Sequence, residues 1–388
     1  MSTKVPAALD IDALHAEASA LTGLHDFGDP AYRESMAVFL ESIVDAHRGS
    51  PFEQAAHDQA VHLLTSRLQI TDHVKRHPEV LAEPIERPII LVGLPRTGTT
   101  VLYDVLAQDP AARCPLEWEA RLPWPPPEES TYDNDQRIEM VQAGVDGVLA
   151  AEPQIVDTHP LGARFPAECN TIMEYAFCGP DFWAGYGTDA YTEWVATRRA
   201  RGLYRWHKQF LQHLQWHGPR GRWTLKSPAH LFDLEGLLDV YPDACLVWTH
   251  RDPATVMASL SSFVLPFRRM GGGDTDKVRL AESTTLLWGN ALERGVDSRR
   301  GDPRVEAAVF DLPFREVQAD PAAAAERVHA HFDLPVTDEH RSQTAVFLEH
   351  HRLGSQGSQR YSFAEYGIDP DAMRTRFPHY YERFADLF

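Results

Sequence analysis

The sequence predicts an α/β fold in three layers, a central parallel sheet flanked by helices, with a helical N-terminal extension. Three observations predict it. An apolar run, Ile89–Val92, enters a glycine-punctuated turn, Gly93-Leu-Pro-Arg-Thr-Gly98-Thr-Thr100, and an amphipathic segment follows. Two more short apolar runs, 222–228 and 244–250, each lead through a proline into a segment of helical periodicity. Strand signals that alternate with helix signals in this way belong to parallel sheets with crossover helices.

Residues 1–85 read as the helical extension. "DIDALHAEASAL" has apolar residues at helical spacing behind an Asp cap, and the segment from Asp29 has Asp29 as N-cap, Pro30 at the first helical position and Gly49 as its stop. Residues 86–388 read as the main domain, opened by the strand–loop–helix at 88–107. The proline-rich stretch 122–130 is a loop. Segments 135–150 and 191–217 are helical. The strand at 222–228 is followed by a helix over 230–242. The strand at 244–250 is followed by a helix with Pro253 near its first position. The glycine run near 270–277 is a loop, 305–314 supplies a further strand, and the last 70 residues are helical, becoming irregular around "RLGSQGSQRYSF".

Composition narrows the function classes. Of 388 residues, 43% are hydrophobic and 24% charged, ordinary for a globular protein. A net charge of −19 argues against broad binding to nucleic acid or anionic membrane, while leaving room for a local basic pocket. Cys114, Cys169, Cys178 and Cys245 lack metal-type spacing and read as buried reduced thiols. The N-terminus has early acidic residues and no apolar h-region, and no run approaches the roughly 18 apolar residues of a membrane helix. The expectation is a cytoplasmic protein.

The turn at 93–100 has the G-x-x-x-x-G spacing of a P-loop, hence a P-loop-like fold. Its backbone N–H groups and the helix N-terminus suit an anion. Thr97, Thr99 and Thr100 add hydroxyls and Arg96 a fork of charged donors. Yet Thr99 stands where a nucleotide triphosphatase needs lysine, and the strand at 244–250 runs into "HRDP" without a terminal metal-binding aspartate. The "HRD" of a kinase requires asparagine five residues later, where this chain has Met257.

"PRTGTT" after an apolar strand resembles the 5′-phosphosulfate loop of sulfotransferases that use 3′-phosphoadenosine-5′-phosphosulfate (PAPS). A second hallmark of that family is an arginine with a serine eight positions on, both on the 3′-phosphate; here these are Arg251 and Ser259. The resemblance covers roughly residues 86–370 and is nearest to bacterial members, which carry stretches like "LKSPAHL" (225–231) and "RYSFAEYGID" (360–369). It implies PAPS as donor, no metal requirement, and sulfuryl transfer to a hydroxyl, or less readily an amine, of a small or lipid-like acceptor. Cofactor binding then falls to Arg96, Thr97, Gly98, Thr99, Thr100, Arg251 and Ser259, with Arg360 and Tyr361 on a C-terminal segment, 350–388, that closes over the nucleotide. Lys226 and Arg96 both qualify as the cation that stabilises the leaving oxygen.

The acceptor must lose a proton, so a general base is expected. Glu117 and His159 rank first, then Glu168 and His230; Glu119 shares the segment of Glu117, which resembles the R-C-x-x-E of tyrosylprotein sulfotransferases. The histidine that cytosolic aryl sulfotransferases place two residues after the lysine is absent, because Pro228 stands there. Aromatic density over 174–194 suggests an acceptor pocket or lid, with core packing as the ordinary alternative. Two rival readings of the whole chain are a kinase-like transferase on the same scaffold and a non-catalytic nucleotide-binding protein.

Overall fold

The structure is a computed structural model that describes residues 9–153, 161–198, 202–270, 276–350 and 361–388. The chain begins with α1 (Ile11–Thr22), started by the Asp10 carboxylate accepting from Ala13 N at 2.8 Å. Next come α2 (Tyr32–His47) and α3 (Pro51–Arg76), the latter capped by Ser50 with proline at its first position. Asp29 and Pro30 sit just ahead of α2 and not at its start: Asp29 accepts from Ala31 N at 3.0 Å and Ala31 takes the cap position. These helices bury Leu14, Met36, Phe39 and Leu64 in one apolar cluster with residues of the main domain such as Phe177, Leu225 and Trp248.

β1 (Ile89–Val92) is buried along its whole length and leads through the loop into α4 (Thr99–Leu106). Then follow β2 (Ala112–Arg113), α5 (Glu117–Arg121), α6 (Gln136–Ala151), α7 (Cys169–Glu174), α8 (Pro180–Tyr186), α9 (Asp189–Thr197) and α10 (Leu203–Gln215). The aromatic stretch 174–194 is core here, not an acceptor pocket. Tyr175, Phe177, Phe182, Trp183 and Tyr191 are at most 2% exposed, and Phe182 stacks on Phe39 of α2 with ring centroids 4.4 Å apart. The N-terminal helices supply the partner surface that the local sequence does not reveal.

β3 (Arg222–Lys226) does not pass into one helix. A 3₁₀ turn, Pro228–Phe232, comes first, and α11 (Leu234–Val240) restarts behind Asp233, whose carboxylate accepts from Gly236 N. β4 (Cys245–His250) is followed by α12 (Pro253–Met270), and α13 (Lys277–Gly301) and α14 (Pro303–Ala308) lead to β5 (Val309–Pro313). The C-terminal elements are α15 (Phe314–Ala319), α16 (Pro321–His331), α17 (Asp338–His350), α18 (Pro370–Arg376) and α19 (Pro378–Phe384). His250 ties α19 to the sheet, with its ring nitrogens 3.0 Å from Tyr380 Oη and 2.8 Å from Asp311 Oδ1 of β5.

The five strands are parallel in the order β2-β3-β1-β4-β5. Ile90 of β1 lies opposite Leu225 on one side and Leu246 on the other. The chain therefore leaves β1 to one side for β3 and returns to the other for β4. Such a switch opens a crevice beyond the carboxyl ends of the strands. Gly93, Ser227 and Arg251, the first residues past β1, β3 and β4, all lie at that edge.

Candidate active site

The loop's shape is set by two glycines and by β4. Gly93 has φ +120°, and a Cβ there would lie 2.7 Å from the carbonyl oxygen of Thr249, so strand and loop approach only without a side chain. Gly98, at φ +84°, is the N-cap of α4 and packs against Phe314. The Thr97 hydroxyl, expected as a ligand donor, is turned inward. It donates to Leu94 O and meets Thr249 Oγ1, both at 2.6 Å, and the residue is 1% exposed. It braces the loop against β4.

Arg96 has φ +67°, a conformation that costs a non-glycine residue about 1–3 kcal/mol. Arg251 holds it there by donating from Nη1 to Arg96 O at 2.7 Å. The Arg96 side chain runs to α12, where Nε donates to Ser259 Oγ at 3.4 Å and the guanidinium stands 5.1 Å from the Phe263 ring. Arg251 lies over Phe314 at 4.3 Å. Burial, and then the charge of Arg251, lower the Arg96 pKa; burial likewise lowers that of Arg251, opposed by Tyr361. The sequence-predicted Arg251 and Ser259 thus meet through Arg96, with Tyr361 beside both arginines. Two partly desolvated guanidinium groups, a hydroxyl and a phenol form a strongly anion-attracting corner.

Lys226, the last residue of β3, occupies the other end of the crevice and is 3% exposed. Its Nζ donates to Thr100 Oγ1 at 2.8 Å and is in direct ion-pair contact with the Glu168 carboxylate. Glu168 also accepts from Asn170 Nδ2 at 3.2 Å, and Asn170 Oδ1 accepts from the Ser227 hydroxyl. One carboxylate escaped the sequence reading. Asp104 lies one helical turn after Thr100 on α4, 7% exposed. Burial raises its pKa to about 7, opposed by Lys226 and reinforced by Glu168. The signal was present: a lone acid in the otherwise apolar "TTVLYDVL", four residues after Thr100 and so on its face.

The other described base candidates have partners of their own. Glu117 accepts from Arg121 Nε at 2.7 Å within α5. Glu119 is fully buried and its oxygens take two Arg113 nitrogens at 2.7 Å, Leu116 N and Tyr132 Oη, which makes it a folding pair. His230, expected to start a helix and face the reaction, lies in the 3₁₀ turn with no exposure. Its ring contacts Tyr204 and His207 of α10, with Nδ1 3.2 Å from Tyr204 Oη, and burial drives its pKa well below the usual value. An acceptor entering from solvent does not reach a ring enclosed in this way. His159 and Arg360 lie outside the described residues.

Known proteins share this fold. The model of the sulfotransferase family matches residues 88–338. Two curated relatives, omega-hydroxy-beta-dihydromenaquinone-9 sulfotransferase Stf3 of Mycobacterium bovis and of Mycobacterium tuberculosis, are each 25% identical over 268 residues. That match takes in 66% of this chain and 64% of the relatives, so less than two thirds of their length is spanned. Among solved structures, sulfotransferase STF9 from Mycobacterium avium superposes with a TM-score of 0.85 at 29% identity, covering 99% of this chain and 98% of that one. STF1 from Mycobacterium tuberculosis H37Rv gives 0.80 at 29% identity, covering 96% and 99%.

Proposed function

This chain belongs to the sulfotransferase family, and we propose that it transfers a sulfuryl group from PAPS to a hydroxyl of a small-molecule or lipid-like acceptor. One observation carries the reading: Lys226 Nζ touches a phosphate-loop hydroxyl, Thr100 Oγ1, and a carboxylate, Glu168, at the same point. Cation, loop donor and proton acceptor are gathered where a bond between the donor's 5′-phosphate and its sulfuryl group would lie.

In this proposal the backbone N–H groups of residues 96–100 and the hydroxyls of Thr99 and Thr100 hold the 5′-phosphosulfate. Arg251, Ser259, Tyr361 and Arg96 hold the 3′-phosphate. Arg96 moves to that end from the loop end first expected, since its side chain already reaches Ser259. Glu168 takes the proton of the acceptor hydroxyl as its oxygen attacks sulfur. The bond from sulfur to the 5′-phosphate oxygen breaks, that oxygen keeps the electron pair, and Lys226 stabilises the charge it gains. The products are a sulfate ester and 3′,5′-adenosine bisphosphate, with one proton released.

A lipid-like hydroxyl is favoured as acceptor because the Stf3 relatives are named for a hydroxylated menaquinone. No described helix is long and apolar enough to cross a membrane. The test is thermal stabilisation. The bisphosphate should raise the melting temperature and ATP with Mg²⁺ should not, followed by transfer of a radiolabelled sulfuryl group to extracted lipids and metabolites. Stabilisation by ATP with Mg²⁺ alone overturns the proposal in favour of a kinase-like enzyme. Bisphosphate binding without any labelled product leaves only a nucleotide-binding protein.

A further inference from the structure

Away from the crevice, three buried side chains from separate elements converge. Asp109 lies in the turn between α4 and β2, His329 on α16 and His340 on α17; they are 6%, 0% and 2% exposed. One potential ligand atom from each lies within 4.8 Å of the others, and His329 Nε2 is 4.0 Å from Asp109 Oδ2. His329 Nδ1 is 3.0 Å from Pro335 O. A carbonyl only accepts, so the ring hydrogen is on Nδ1 and Nε2 carries a bare lone pair. Neither His329 Nε2 nor His340 Nδ1 has a hydrogen-bond partner. Buried imidazole nitrogens without a hydrogen-bond partner are costly, and a cation ligated by both rings and the neighbouring carboxylate would satisfy them.

We propose that Asp109, His329 and His340 bind one zinc ion as a structural clip. Nitrogen and oxygen ligands stand about 2.0–2.2 Å from zinc, which puts ligand atoms roughly 3.4 Å apart, so small side-chain rotations close the site. Imidazole ligands favour zinc over calcium or magnesium. The outer shell is already in place: Pro335 O orients His329, while Ala111 N and Arg222 Nη2 donate to the two Asp109 oxygens, each at 3.0 Å. Such partners fix ring orientation and ligand geometry at metal sites. The clip would join α16 and α17 to the turn that ends the phosphate-loop helix and, through Arg222, to β3, which carries Lys226 at its far end. It takes no part in sulfuryl transfer.

The experiment uses tag-free full-length protein, stripped with chelator and titrated with Zn²⁺ and with Co²⁺. The expected result is about one ion per chain, a rise in melting temperature with zinc, and the visible absorption of low-coordinate cobalt. In His340→Ala the affinity should fall by more than the roughly 10–100-fold that loss of an outer-shell partner costs. Equal affinity in wild type and variant, or no cobalt absorption and no melting shift in wild type, overturns the proposal. If His340→Ala does not fold, X-ray absorption of the zinc-loaded wild type decides. Two imidazoles with oxygen support the site, and a thiolate or all-oxygen shell overturns it.

Discussion

Replacing Lys226 by methionine isolates its charge from its packing. The side chain is 4% exposed, so an apolar stem of similar length keeps the end of β3 filled. What is lost is the cation between Thr100 and Glu168. Its proposed work is done in the transition state, when the departing 5′-phosphate oxygen gains charge. Removing one preorganised donor of that kind costs about 10²–10³ in kcat, or about 2.7–4 kcal/mol. The ground-state cost is smaller. Asp104 loses the group that holds its pKa down and keeps its proton more firmly, and Glu168, 23% exposed, turns to water. A loss of about 1–3 kcal/mol in folding stability is expected. The assay is steady-state transfer of labelled sulfuryl groups with calorimetric binding of the bisphosphate. kcat should fall by two to three orders of magnitude while bisphosphate affinity stays within about 3-fold. A fall in kcat below about 5-fold, or a loss confined to nucleotide affinity, refutes the assignment.

Glu168→Gln keeps the contact to Asn170 but cannot take a proton, so kcat should drop about 10²–10⁴-fold in steady-state transfer of labelled sulfuryl groups, and an undiminished kcat refutes its role as base. Ser259→Ala should weaken bisphosphate binding by about 0.5–1.5 kcal/mol and Arg251→Ala by more, about 1.5–3, read by calorimetry; Arg251→Ala should also lower the melting temperature, since Arg251 holds the left-handed Arg96. Thr249→Val removes the hydroxyl that meets Thr97, and a loss of about 0.5–1.5 kcal/mol should appear as a lower midpoint in urea. Asp104→Asn tests the raised carboxyl. With a folded pKa near 7 against 3.8 in the open chain, the folded state holds the extra proton between those values, so its contribution is full below pH 3.8 and is lost as pH rises through 7. The variant should therefore gain stability relative to wild type between about pH 5 and pH 8, and urea midpoints that stay parallel over that range would show that Asp104 does not titrate there.

Most of the scaffold was legible because its signals are local. Glycines at 93 and 98, apolar runs and prolines at helix starts mark β1, β3, β4 and β5 from neighbouring residues, while the two-residue β2 carries no such signal. Lys226, Arg251 and Ser259 were singled out by motifs they share with the sulfotransferases; the fold puts Lys226 at the end of β3 and brings Arg251 and Ser259 together through Arg96. What escaped depends on contacts far apart in sequence. Thr97 reads as a ligand donor until β4 brings Thr249 alongside it, and His230 reads as a base until α10 encloses it. The rings of 174–194 read as pocket or core with equal justice until α2 covers them. Asp104 was overlooked because an acid within an apolar helix carries no motif, although burial raises its pKa to about 7.

The missing loop lysine follows from the order of the strands. A lysine at 99 would stand at the first turn of α4, where Thr99 is 5% exposed and followed directly by Thr100. That hydroxyl already receives Lys226 from β3. A second ammonium in the same desolvated corner would oppose the first at a separation where like charges cost several kcal/mol at the effective dielectric of a protein. Glu168 and Asp104 would then have two cations to balance, and Asp104 keeps its proton near neutrality even with one. One cation matches a sulfuryl group, which brings less negative charge than a phosphoryl group. Supplied from the strand, in the proposed reaction it would face the bridging oxygen and leave the loop's N–H groups to the phosphate. Thr99 is thus the small residue required where the cation arrives from β3.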